Sequence, residues 1–571
     1  MEERPTHPSL PSRIAALVHA HFDALPARCK PMTREDGSRE WIPMSGIVVV
    51  KGENTPSETL TCVAVTTGAR CLPSSHIPRC RGLVLHDCHA EILALRAFNY
   101  WVLNECHSVI LREQQEKSSR SSPFVRRRSG QTCPHESHSW PPFEICPDIR
   151  IYMYCTCAPC GDASMELCMA AQEDPTPWAV TPKPELTTVE EGMTSATQNL
   201  LDGRAHFSIL GVVRRKPARA DAEATLSKSC SDKLALRQVT SLLSYPASLL
   251  VAPTENAYLA GLILPEEEIS RVACDRAFGA GPTGRMRKLA GRWWRERPDE
   301  KYGYRFRPFE VLSVPTKTVE ALWPYGKPKS DIPGASTKGR KKNSNKPSNI
   351  SAVWVTAPSS AAAPFQVRSS SENETTKHKL RSATTTGIVE TIINGVKQGN
   401  QVASVTARGA SVLCRAKMWS FLREIIKTAS SSAAADDNVI ADDKEDPSTI
   451  LTANEKHTFT LPWRAILEAK SYGQFKRPEE SPEDSCPSIP TPLKPQLSTQ
   501  LKLRRLAMQD AKRVLQPWIP NRGDEDWNVL EVLVAEPKDK NRNKSTSTSA
   551  NRNSDSDRDM DRKVMEMGMN S

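Results

Sequence analysis

The chain has 571 residues, of which 38% are hydrophobic, with 44 Pro against 26 Gly, 16 Cys and a formal net charge of +11. This length suits several average domains or one large domain with insertions, and the low apolar share points to a folded core interrupted by polar segments. No run approaches the ~18 apolar residues of a membrane-spanning helix, and MEERPTHPSLPSRIAALVHAHFDALP lacks the basic-then-apolar pattern of a secretory leader. Cysteines so dilute exclude a small disulfide scaffold and fit a reducing compartment, nucleus and/or cytoplasm, where clustered Cys serve as metal or redox ligands. The positive balance favours a polyanionic partner, or is simply the surface of a soluble basic protein.

In chain order, residues 13–25 (RIAALVHAHFDAL) carry apolar side chains at helical spacing after Pro and Ser. Two Val/Ile/Thr-rich runs, WIPMSGIVVVKG and LTCVAVTTGARC, read as strands punctuated by Gly. DCHAEILALRAF opens a helix expected to run to about Asn104. DIRIYMYCTCAPCG reads as a strand entering a Pro-Cys-Gly turn, and DASMELCMAAQ as the next helix. Alternating strands and helices predict an α/β layered domain. Polar segments at 117–140, 326–350, 428–458 and 477–497 are expected to be disordered insertions, and 537–571 a disordered polar tail. KGRKK in the second of these reads either as a nuclear import signal or as a solvated loop.

A hydrolytic metal site needs three protein ligands, an open position for water and a carboxylate that moves protons. His89 and Glu91, two apart where a helix begins, suit a ligand and a proton shuttle; alone, such a pair is ordinary surface chemistry. APCGD presents Cys160 at a strand-to-helix junction, where a thiolate is favoured. No Cys follows at a C-x-x-C interval, so a third ligand must come from elsewhere, and LSKSCSDKLALRQ offers Cys230 with Lys233 one turn on. Cys155 and Cys157 compete as ligands, while Cys62 and Cys274 read as small buried hydrophobes. H-x-E followed by P-C at a second junction is the zinc nucleobase deaminase pattern.

CHAE, PCGDA and SCSDK, in this order and with GLVLHDCHAEI around the first, resemble the adenosine deaminases acting on RNA and their tRNA-specific relatives. The resemblance covers about residues 10–530 and is nearest to the fungal branch that makes inosine beside the anticodon of alanine tRNA. It implies a three-layer zinc cytidine-deaminase-like α/β core, with a mixed sheet and helices on both faces. It also implies zinc on His89, Cys160 and Cys230, with Glu91 as the catalytic proton carrier. The substrate implied is tRNA rather than DNA or a membrane, with no duplex-binding domain in front and no obligate partner subunit. An editor of other structured RNA and an inactive deaminase-like RNA-binding protein are the competing readings.

The family also encloses inositol hexakisphosphate. Ile92, Arg96, Lys233, Tyr472, Lys476, Lys512, Trp518 and Asp526 match its contacts, while Leu95, Leu236 and Met508 depart from them. The Arg-rich segment GRMRKLAGRWWRERPDEKYGYRFRPF (284–309), with interleaved Trp and Tyr, is a candidate for RNA phosphate contacts or an ordinary amphipathic element with a solvated basic face.

Overall fold

The structure is a computed structural model that describes residues 8–33, 39–115, 122–128, 141–170, 201–203, 209–216, 223–298, 302–327, 347–358, 387–435, 466–476 and 495–533. A second unit, Val534–Ser571, lies outside the described residues together with the expected polar tail. Most of the four expected insertions also lie outside them. Within the first, Val125–Arg127 pairs with Phe143–Ile145 as a short antiparallel ribbon. The third begins inside a helix that runs on to Ala435.

Helix α1 (Leu10–Asp23) starts where the Ser9 hydroxyl accepts the Ser12 N–H and Pro11 occupies the first turn, both favourable at a helix start. Its stripe of Ile14, Ala15, Val18 and Phe22 is buried. Strands β1 (Met44–Lys51) and β2 (Thr59–Thr67) form an antiparallel pair with a bulge at Ile47/Val48. Helix α2 (Ala90–Gln114) follows and is ten residues longer than its expected end at Asn104. The extension holds because Cys106, Val109 and Ile110 continue the apolar stripe, while the buried Glu105 carboxylate accepts the Ser122 hydroxyl at 2.6 Å.

The chain goes on through β3 (Ile149–Cys155), α3 (Cys230–Thr240), β4 (Leu259–Pro265), α4 (Arg271–Phe278), β5 (Glu310–Val314), β6 (Ile350–Thr356), β7 (Gly387–Ile393) and β8 (Val396–Lys397). Helices α5 (Arg415–Ala435) and α6 (Pro495–Val514) complete the main elements. The eight strands form one sheet in the order β5-β4-β3-β1-β2-β6-β7-β8. It is mixed: β3, β4 and β5 run parallel, and the other neighbours are antiparallel. This is the α/β architecture the alternating pattern predicts.

Period-two alternation sends side chains to two separate cores. Ile47, Val49, Ile151, Met153 and Leu262 join α2, α3 and α5 on one face. Val48, Val50, Tyr152, Tyr154 and Ile263 meet α1 on the other. With both faces covered, the central strands are mostly apolar, and the chemistry is confined to loops and helix starts at the edge of the first core. No described helix is long and apolar enough to cross a membrane.

Candidate active site

Residues Asp87–His89 form a short strand paired antiparallel with Ala69–Cys71, and His89 is the extended residue that caps α2. Glu91 lies inside the first turn and His89 just before it, at the N-cap. Their placement depends on Gly68, whose φ is +151°; a Cβ there would stand 1.9 Å from the Cys88 carbonyl oxygen. The Gly68 carbonyl accepts the Ala90 N–H at 2.9 Å, and the Thr66 hydroxyl donates to the Ala90 carbonyl at 2.7 Å. The start of α2 is thereby fixed to the end of β2.

Cys160 sits in the loop after β3, and Cys230 opens α3 behind the Ser229 cap. The two cysteine loops are locked together. Ser231 donates its N–H to the Cys160 carbonyl at 3.0 Å and its hydroxyl to the Pro159 carbonyl at 3.1 Å. The Cys230 N–H points at the Cys160 sulfur, 3.4 Å away.

His89 Nδ1 lies 3.7 Å from each sulfur, and the three donor atoms fall within 4.8 Å of one another. A tetrahedral zinc with ordinary Zn–S and Zn–N bonds would set each N···S edge at roughly 3.6 Å. The donor chemistry and spacing therefore fit zinc. Cys155 instead lies 3.1 Å from the Ser45 hydroxyl. Among the described residues, neither Cys155 nor Cys157 joins the donor group, and burial pushes both thiols well above their usual range.

Charge is distributed unevenly here. Hydrogen bonding from Cys230 and attraction from Lys216 and His89 hold Cys160 well below the ordinary thiol range, against the cost of burial. Burial and the negative Cys160 push Cys230 well up. Burial and Lys216 oppose a proton on His89, but the neighbouring sulfurs outweigh them and raise it to about 10. Glu91, only 4% exposed, is shifted upward by burial and then by Cys160.

Behind the donors stands a link that the motifs did not reveal. Lys216, buried, donates to the Cys230 sulfur at 3.2 Å and to both Asp87 oxygens at 3.1 and 2.9 Å. Asp87 also accepts from Ser227 at 2.6 Å and from Lys233. Despite burial, the two lysines hold Asp87 well below the usual carboxylate range. The signals were present as an Asp two residues before His89 and a Lys in RRKP, but neither has a diagnostic spacing.

Lys233 in turn lines a cavity of about 130 Å³ together with Ile92, Arg96, His86, Arg415 and Asn521. Elsewhere, Lys476 lies over the Tyr245 ring at 4.1 Å, and Tyr472 stacks on Trp527 at 4.8 Å. Lys512 and Lys228 both approach the Trp518 ring, at 5.8 and 6.0 Å. Burial together with Arg504, Arg415, Arg237 and Lys512 holds Lys476 well below the ordinary lysine range. Burial, Arg504 and Arg96 lower Arg237 to about 9.

Arg237, Arg415 and Arg504 are thus members of the cluster that the sequence did not single out. Arg237 and Arg504 both donate to the Leu243 carbonyl, at 3.1 Å each. One expected member is elsewhere: Asp526 is exposed. The buried acid of that segment is Asp524, which accepts the Gly82 N–H at 2.8 Å and pairs with Arg415 at 2.9 Å. The chain turns at Gly523, and this directs Asp524 inward and leaves Asp526 in solvent.

The basic segment 284–309 divides. Arg285 is buried against Asp232 at 2.6 Å, and Trp294 is buried with its indole N–H donating to Asp510 at 2.8 Å. Trp293 is 37% exposed, with the Arg295 and Arg305 guanidinium groups 4.2 and 5.7 Å from its ring centre.

A partly buried His/Cys/Cys donor group beside a buried carboxylate, at the edge of a mixed α/β sheet, defines a protein of the hydrolytic deaminase class. The chain belongs to the adenosine-deaminase (editase) domain family, whose model matches residues 64–476. It is 37% identical over 303 residues to tRNA-specific adenosine deaminase 1 of Schizosaccharomyces pombe, a match covering 53% of this chain and 67% of that protein. It is 31% identical over 240 residues to tRNA-specific adenosine deaminase 1 of Saccharomyces cerevisiae, covering 42% of this chain and 55% of that one. A shorter match, 32% over 120 residues, links it to double-stranded RNA-specific editase B2 of Mus musculus, covering 21% of this chain and 14% of the relative.

Proposed function

We propose that the chain is a zinc-dependent tRNA deaminase that converts adenosine to inosine, with the adenosine 3′ of the anticodon of alanine tRNA as its target. The observation that carries this reading is the 3.7 Å spacing of His89 Nδ1 from both cysteine sulfurs, with Glu91 two residues along. The two fungal relatives named as tRNA-specific support the substrate class. On this reading residues 10–530 make up the deaminase domain around a three-layer zinc cytidine-deaminase-like core.

His89, Cys160 and Cys230 would hold the zinc, which when bound supplies a water activated near neutral pH. Glu91 takes a proton from the attacking water, hands it to adenine N1 as C6 is attacked, and helps protonate the departing ammonia. Its buried position keeps bulk water from competing for that proton. Lys216 favours the thiolate form of Cys230, and Ser231 fixes the two cysteine loops at one spacing.

The cluster of Arg96, Arg237, Arg504 and Lys476 has no carboxylate ion pair among the described residues, with Asp524 engaged by Arg415. Burying such cations without anions is costly. Inositol hexakisphosphate is therefore proposed as their counter-ion, with Ile92, Arg96, Lys233, Tyr472, Lys476, Lys512 and Trp518 around it. Trp293, flanked by two arginines, is a stacking surface for an unpaired base of the RNA.

The test is incubation of purified protein with an unmodified alanine tRNA transcript, followed by sequencing for A-to-G conversion. Conversion at the adenosine 3′ of the anticodon is expected. Conversion only in long duplex RNA would favour the editor of structured RNA instead. Bound zinc without conversion of either substrate would favour the inactive reading.

A further inference from the structure

Each cysteine of the donor group is followed two residues later by an aspartate: Cys160-Gly-Asp162 and Cys230-Ser-Asp232. Both aspartates are almost fully buried, at 1% and 0% exposure, and they turn toward the same arginine. Arg285 Nη1 donates to Asp232 Oδ1 at 2.6 Å, and its Nε lies 4.0 Å from Asp162 Oδ2. The single Nε proton goes to the Ala277 carbonyl at 3.2 Å, which fixes the plane of the guanidinium, so Asp162 is held by charge attraction at 4.0 Å and Asp232 by a hydrogen bond. We propose that Arg285 is a positioning residue for the metal donors: it ties the Cys160 loop to the Cys230 helix through the two aspartates and so sets the separation of the two sulfurs. The proposal rests on the zinc reading above.

The surroundings favour a rigid strut. The other Asp232 oxygen accepts the Ser229 hydroxyl at 2.6 Å and the Arg214 N–H at 3.1 Å, so this carboxylate is held at both ends. Asp162 Oδ1 accepts the Gly211 N–H at 2.8 Å and Arg276 Nε at 3.0 Å. Arg276 and Arg285 are themselves joined, the Arg285 N–H donating to the Arg276 carbonyl at 2.9 Å. One scaffold, α4 with the segment after it, therefore grips both donor loops. Gly161, at φ +102°, lets the loops meet, since a Cβ there would stand 2.2 Å from the Ser229 oxygen.

An RNA-contacting arginine would need an exposed head, and the Arg285 side chain is only 5% exposed. A guanidinium can span two carboxylates where an ammonium is a single point of charge. Arg285→Lys should therefore act as a partial loss and Arg285→Met as a full one.

The experiment is metal competition. Wild type, Arg285→Lys and Arg285→Met are loaded with Zn²⁺ and titrated with a chelator of known affinity. Parallel samples loaded with Co²⁺ report thiolate coordination through their visible absorption. Zinc affinity is expected to fall roughly 10–100-fold in Arg285→Met and by less in Arg285→Lys, with altered Co²⁺ bands in both. Wild-type affinity and spectra in both variants would overturn the proposal, whether the variants show a raised KM for tRNA or only a lower melting temperature. If Arg285→Met does not fold, Arg285→Lys carries the same test. A wild type that binds neither metal would instead sink the zinc reading and this inference with it.

Discussion

On the α1 side of the sheet, Ile14, Val18, Phe22, Val48 and Ile263 pack with Tyr154, Trp323 and Trp354, and the polar guests are chiefly His19 and His21. On the other side the same strands contribute Ile47, Val49 and Met153 to a core whose margin encloses Asp87, Lys216, Asp232, Arg214 and Arg504. The first side is held almost entirely by burial of apolar surface, which tolerates small changes of shape. The second has the larger apolar core but adds buried charges at its margin, and where these are paired, as Asp87 is with Lys216, removing one partner strands the other. A single sheet thus separates a side that provides cohesion from a side that provides chemistry.

The largest expected effect is on the chemical side. Glu91→Gln keeps the shape and removes the proposed proton carrier. Turnover of alanine tRNA should drop by about 10²–10⁴-fold, with zinc content and melting temperature as in wild type. Normal turnover would remove Glu91 from the mechanism.

Next comes Lys216→Met, which strips Asp87 and Cys230 of a buried partner at 2.9–3.2 Å. Breaking such a pair should cost about 3–5 kcal/mol, read by denaturant unfolding. A loss below about 1 kcal/mol, the value typical of an exposed pair, would show that this margin is more hydrated than its burial implies.

Acid should affect the opposite side. Burial lowers His19 and His21 to about 4 from an ordinary 6.5. Between those values the unfolded chain binds the extra protons, so stability is complete above pH 6.5 and falls as the pH drops toward 4. Each imidazole contributes at most about 1.4 kcal/mol per pH unit in that window. His19→Gln, which can still meet the Tyr154 hydroxyl, should flatten the slope of melting temperature against pH; an unchanged slope would mean His19 is not buried neutral.

The smallest effect is expected for Ile263→Val, fully buried against α1. It should cost about 0.5–1.5 kcal/mol and leave turnover and zinc affinity at wild-type levels. A change in either would show that the two sides are mechanically coupled through the sheet.

Most of the donor group was legible in the sequence because its chemistry needs particular residue types at junctions with local signatures. His89, Glu91, Cys160 and Cys230 each sit in a short motif, and the structure brings all four together. The cations of the cluster were only half legible. Arg237, Arg415 and Arg504 come from separate elements and look, in sequence, like the polar face of any helix. Asp524 and Asp526 are two apart in GDED, and only the turn at Gly523 decides which one is buried. Arg285 was masked by its neighbours, since a run of arginines reads as a surface until one of them is seen facing inward.

The order in which the chain supplies its parts has a consequence for biosynthesis. The three proposed metal donors have all been translated by residue 230, whereas the cation cluster waits for Arg504 and Lys512. At roughly 5–20 residues per second, ribosomes spend about 15–55 s between those points. The strands β6 and β7, which extend the sheet beyond β2, are made in that interval. The nascent polypeptide therefore carries its proposed donor thiols well before Arg504 and Lys512 are made. A chaperone or metal donor acting on the growing chain would meet the former in the absence of the latter.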